Sequence, residues 1–82
     1  MTKEELTKIL IEARRRKDLS HERVASLTYG KITRQYYGMI ENGDRRPSVE
    51  VAKCIAKILD IPWTLFFEVN SNQKLLKEKE AI

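Results

Sequence analysis

Residues 33–47 read TRQYYGMIENGDRRP, and the rest of the chain is organised around them. Thr33 is a natural helix N-cap, because its hydroxyl can accept from a backbone N–H that the first turn leaves unpaired. Behind it, Tyr36, Tyr37 and Ile40 recur at helical spacing and form the buried stripe of a short helix. Arg34, Gln35, Gly38 and Met39 fall toward the opposite side. That side begins with a guanidinium fork and an amide, two donor groups suited to the edges of bases in a major groove. Asn42-Gly43 ends the helix, since glycine supplies the left-handed backbone of a C-cap. Asp44, Arg45, Arg46 and Pro47 follow as a short basic loop. Taken alone, the stretch is equally compatible with an ordinary amphipathic helix whose charges are solvated.

Outward from this segment, 82 residues make one domain, long enough for a single core. With 41% apolar and 34% charged residues the chain reads as globular. Its apolar runs are too short for a membrane span, and MTKEELTK lacks the apolar core of a signal peptide. One cysteine, Cys54, excludes an internal disulfide, and one histidine leaves no metal constellation. These absences point to a reducing cytoplasm. The net charge of +4 is mild, and its distribution says more. Arg14, Arg15, Arg16 and Lys17 form one cluster; Lys31, Arg34, Arg45 and Arg46 form another around the central helix.

Before that helix, Thr2 and Glu5 form a capping box opening a first helix over residues 3–17, with Leu6, Ile9, Leu10 and Ala13 as its stripe. Leu19 closes the loop. Ser20 caps a second helix over 21–28 that buries Val24, Ala25 and Leu27, and His21 and Arg23 lie at its start, where an anion is favoured. After it, Ser48 caps a fourth helix over 49–59 with Val51, Ala52, Ile55, Ala56 and Leu59 inward and Cys54 beside them as a small packing residue. Pro62 opens a fifth short helix carrying Trp63, Leu65, Phe66 and Phe67. Trp63 and Phe66 cap the core, and an exposed Phe67 suits a dimer contact. Asn70–Asn72 reads as a linker, and residues 73–82 as a tail with only Leu75 and Leu76 for adhesion.

The series in order resembles the phage-repressor and Cro type of helix-turn-helix protein, the XRE family. The residues that carry the resemblance are Leu19-Ser20, Val24-Ala25, Ile32 through Tyr37, Ile40-Glu41-Asn42-Gly43, Arg46-Pro47-Ser48 and Ala52…Ile55-Ala56…Leu59. The match covers roughly residues 6–67. The resemblance implies an all-α, compact, five-helix lambda-repressor-like DNA-binding domain over residues 1–68, with the helix-turn-helix at helices two and three and a polar tail at 69–82. Carried over by position, Arg34, Gln35, Met39 and Thr33 read bases. His21, at a position where the family commonly has glutamine, contacts phosphate, as do Lys31, Asn42, Arg45 and Arg46. Arg14 and Glu41 match an internal ion pair, and Trp63 and Phe67 are candidate dimer contacts. The chain departs from the family between Ala25 and Ile32, where Thr28-Tyr29-Gly30-Lys31 makes the turn two residues longer. Either the second helix is longer or the turn bulges toward solvent.

The function so implied is a sequence-specific transcriptional regulator, a repressor of the short kind found in phages and mobile elements. It acts in the cytoplasm at the nucleoid, as a weak homodimer on an inverted-repeat operator in double-stranded DNA, with half-sites about 34 Å apart. A protein-interaction module on the same fold, of antitoxin or antirepressor type, is the alternative. No cofactor, metal, membrane or small-molecule substrate is expected. An enzyme is rejected, because no acid–base or metal set converges.

Overall fold

The computed structural model describes residues 1–69. Four α-helices, α1 (Lys3–Arg16), α2 (His21–Leu27), α3 (Arg34–Asn42) and α4 (Val49–Leu59), are followed by a 3-10 helix, Trp63–Phe67. No strand occurs among the described residues. The linker and tail expected over residues 70–82 lie outside them.

Each α-helix starts on a hydroxyl. Thr2, Ser20, Thr33 and Ser48 have extended backbones, and their side chains accept from the N–H groups of Glu5, Arg23, Tyr36 and Val51. Such a cap is worth about 1 kcal/mol against alanine. Thr2 and Glu5 also complete the reciprocal capping box, Glu5 Oε1 accepting from Thr2 N at 2.8 Å. The helix ends are equally local. Gly43 turns left-handed at φ 85°, and the Asp44 N–H then reaches Met39 O at 2.8 Å. Asp60 does the same for α4 at φ 62°.

The apolar stripes meet in one core. Leu6, Leu10 and Ala13 from α1 face Val24 and Ala25 from α2, Tyr37 and Ile40 from α3, and Ala52, Ile55, Ala56 and Leu59 from α4. Phe66 plugs the open end at 2% exposure. Burying a side chain of this size contributes about 1.5–3 kcal/mol. Val51 packs against this core half-buried, and Ile9 and Leu27, expected inside, are only half-buried.

Two expectations change in detail. The segment after Pro62 is a 3-10 helix with no side-chain cap, so the count is four α-helices and one tighter turn. Five residues give too few i to i+4 bonds to hold an α-helix, and the 3-10 form is the usual one for so short a piece. Only Phe66 of its aromatics is buried; Trp63 is half-buried, edge-to-face on Phe67 at 5.9 Å and covered by Lys53 Nζ at 4.9 Å.

The longer turn adds no helix. α2 stops at Leu27, and the buried Thr28 donates its hydroxyl to Ala25 O at 2.6 Å. Tyr29 and Gly30 then take positive φ, 58° and 85°, and Tyr29 stands 93% exposed. The added residues therefore bulge outward, and Ile32 returns to the core just before Thr33 starts α3.

Candidate nucleic-acid interface

α3 has two unlike faces. Inward, Tyr37, Ile40 and Glu41 are buried. Outward, Arg34, Gln35 and Asn42 are exposed, Thr33 is an exposed cap, and Met39 is half-buried. Arg34 and Gln35 make no side-chain hydrogen bond or ion pair to another described residue. The first turns of α1, α2 and α4 each carry a carboxylate, whereas that of α3 carries none. The positive end of α3 thus has no carboxylate within its own first turn, where Arg34 stands.

The inner face is anchored through one carboxylate. Glu41, 3% exposed, accepts four hydrogen bonds from three residues. Arg14 Nε and Nη2 grip Oε1 and Oε2 at 2.9 and 3.2 Å, Tyr37 Oη donates to Oε1 at 2.9 Å, and His21 Nε2 lies 3.0 Å from Oε2. Arg14 also reaches back through Nη1 to Leu19 O at 2.9 Å, tying the loop before α2 into the cluster. Burial opposes ionisation of Glu41, but the hydrogen bonds from Arg14, His21 and Tyr37 outweigh it and hold the carboxyl below its ordinary value of 4.5. Burial first, and Glu41 second, push the Tyr37 phenol well up, so it remains a donor. The Glu41 hydrogen bond pushes Arg14 up as well. Among the described residues no buried side-chain polar atom lacks a partner.

The other cations are arranged around α3. Arg45 and Arg46 are exposed on the loop after it, and Arg46 lies over the Phe67 ring at 5.6 Å, which covers that half-buried aromatic. Lys31 is not free: its Nζ contacts Glu50 Oε2 at 2.7 Å, which pushes Lys31 up and Glu50 down. His21, Arg14 and Arg34 line one shallow cleft with Ser20 and Glu22. Arg34 and Gln35 are thus brought to one exposed edge, with His21 and Arg14 behind.

A model of the helix-turn-helix family matches residues 10–66, well over half of the chain. The chain belongs to the XRE-type helix-turn-helix family. It is also 41% identical over 76 residues to the "Uncharacterized HTH-type transcriptional regulator YqaF" of Bacillus subtilis (strain 168), covering 93% of this chain and 97% of that protein. No solved structure matches. The family is one of DNA-binding transcriptional regulators, a non-enzymatic kind of protein. Among the described residues no group of three or more His, Cys, Asp or Glu side chains is placed to hold a metal, and no helix is long and apolar enough to cross a membrane.

Three side-chain contacts to carboxylates escaped the sequence reading. Tyr37 and Glu41 stand four apart on one helix, a spacing that places side chains in reach, so this bond had a local signal. His21 to Glu41 and Lys31 to Glu50 had none, since 20 and 19 residues separate the partners.

Proposed function

We propose that this protein represses transcription by occupying operator DNA, with α3 in the major groove and two copies on an inverted repeat. Arg34 pairs with guanine and Gln35 with adenine, each good pair supplying about 1–3 kcal/mol of discrimination. Thr33 and Met39 complete the base contacts. Arg45, Arg46, Asn42, Lys31 and His21 meet the phosphates, which fix register without specifying sequence. The two copies touch through the side of the 3-10 helix that carries Trp63 and Phe67.

What supports this most is the asymmetry of α3. Its inner face is fully satisfied by the Glu41 cluster, while its first turn carries no carboxylate of its own and leaves Arg34 and Gln35 without hydrogen-bond or ion-pair partners among the described residues. The test is selection of bound duplexes from a random pool with the purified chain, at two salt concentrations. An enriched inverted repeat, with half-sites spaced near one helical turn, is the expected outcome. Recovery of unenriched DNA that salt removes would reduce the protein to a basic surface, and recovery of none would move its partner from DNA to protein.

A further inference from the structure

Gly38 sits in the middle of α3, where glycine is a poor residue, because it loses more backbone freedom on folding than alanine would. The fold does not ask for it. Among the described glycines only Gly30 and Gly43 have positive φ, so residue 38 keeps ordinary helical backbone. Beyond its own helix, a Cβ built there would meet only the His21 ring, 3.6 Å from Nδ1 and 3.9 Å from Cε1. Both are ordinary van der Waals distances. A methyl group would fit without moving a neighbour.

Its place on the helix shows what the missing side chain leaves open. Arg34, Gly38 and Asn42 follow one another at intervals of four, so they share one side of α3, and Arg34 and Asn42 are exposed. Tyr37, Ile40 and Glu41 hold the buried side. The half-buried Gly38, next to His21 of α2, marks the shoulder of α3 turned toward α2. A helix with its side chains is about 10–12 Å across and the major groove about 12 Å wide, so a reading helix fills the groove with little to spare. Its shoulders then face the sugar–phosphate walls, and their bulk decides how deep the helix goes.

We infer that Gly38 is a positioning residue for base reading: its bare shoulder lets one sugar–phosphate strand pass close to the α3 backbone, so that Arg34 and Gln35 reach the base edges. The inference rests on the operator-binding reading above. It treats the two kinds of DNA contact differently. Bonds from Arg34 and Gln35 to bases need hydrogen-bond distance and good alignment, and they fail when the helix is held away. Arg45 and Arg46, exposed on the loop after α3, meet phosphates through long side chains that can follow a small shift, and such contacts carry no sequence information. A side chain at residue 38 therefore removes discrimination before it removes binding.

The test sets Gly38→Ala beside the native full chain. In a thermal melt the variant unfolds at the native temperature or above it, since alanine fits and is the better helix former. Affinity is then titrated at one salt concentration for the selected duplex and for a scrambled one. Gly38→Ala binds the scrambled duplex like the native chain, and the selected duplex about tenfold more weakly, the worth of one good base contact. An unchanged ratio between the two duplexes, an equal loss on both, or a lower melting temperature overturns the inference. A second measurement needs no variant. In the native complex with the selected duplex, the Gly38 α-protons show nuclear Overhauser contacts to deoxyribose protons, and their absence overturns the inference. Failure of the native chain to prefer any duplex overturns the operator-binding reading itself, whereas a native preference that Gly38→Ala retains overturns only the role of Gly38.

Discussion

Glu41 and Glu50 each accept from a basic side chain, and the two pairs do different work. The Glu41 side chain is 4% exposed and that of Arg14 16%, and their bond closes a cluster that also takes Tyr37 and His21. Glu50 is 75% exposed, Lys31 43%, and among the described residues each has only the other as an ion-pair partner. Water and salt screen the second pair, so it holds little together. The first pair cannot exchange its partner without leaving a buried charge alone. The lesson is that burial separates these charges: the buried carboxylate ties α1, α2 and α3 together, while the exposed one holds a single lysine that water and salt can release.

The largest effect should come from the buried side. Glu41→Gln removes the charge that Arg14, Tyr37 and His21 share, and should lower unfolding stability by about 3 kcal/mol, the low end of the range for a broken buried pair. Denaturant titration measures it. A loss under 1 kcal/mol would erase the contrast between the two carboxylates. The native protein should also be acid-sensitive in a defined window. The Glu41 pKa is lowered on folding, so its contribution is complete above its ordinary value of 4.5 and disappears as pH falls through the lower folded value. Glu41→Gln should lack this component of acid unfolding.

On the exposed side, Arg34→Ala and Arg46→Ala should separate reading from positioning. Arg34→Ala should relax discrimination at one base pair by about 1–3 kcal/mol. Arg46→Ala should weaken all duplexes alike and flatten the log–log salt slope by about 0.9. Parallel behaviour of the two variants in binding titrations would dissolve that division. Glu50→Gln should have a smaller effect of the opposite sign. It releases Lys31 to a phosphate, so affinity should rise several-fold at low salt and fade toward the native value at high salt, with the melting curve unmoved. An unchanged affinity would place Lys31 away from the DNA.

The smallest effect concerns the bulged turn. Tyr29 holds a left-handed backbone, which costs a non-glycine residue about 1–2 kcal/mol, and its side chain packs on nothing in return. Tyr29→Gly should therefore stabilise the fold by about 0.5–1 kcal/mol, after allowing for the greater freedom of glycine in the unfolded chain. A loss of stability in a thermal melt would mean that the phenol ring makes a contact that outweighs its strain.

Much of the scaffold was legible because its signals are short-range. The caps at Thr2, Ser20, Thr33 and Ser48 and the stop at Gly43 each act within a few residues, and the stripes of α1, α3 and α4 repeat at helical spacing. The Arg14–Glu41 pair was reached through family resemblance, since no spacing rule links residues 27 apart. What stayed hidden was of two kinds. Contacts across the fold, such as His21 to Glu41 and Lys31 to Glu50, arise only after docking. Left-handed backbone at Asp18, Tyr29 and Asp60 is set by the turns around these residues, and none of them is the glycine that would announce it. The short aromatic segment was placed correctly, but its 3-10 winding follows from having too few residues to close α-helical bonds.

The hydroxyl caps have a consequence for the order of events as the chain folds. Each start signal is complete within four consecutive residues, so every α-helix can begin before any distant partner has arrived. Single helical turns form within about a microsecond, and chains rich in local contacts reach the native state in microseconds to milliseconds. What remains is a search among helices already begun. Among the contacts that must wait for that search is Glu41 on Arg14, the closure that joins the front of the chain to α3 across 27 residues.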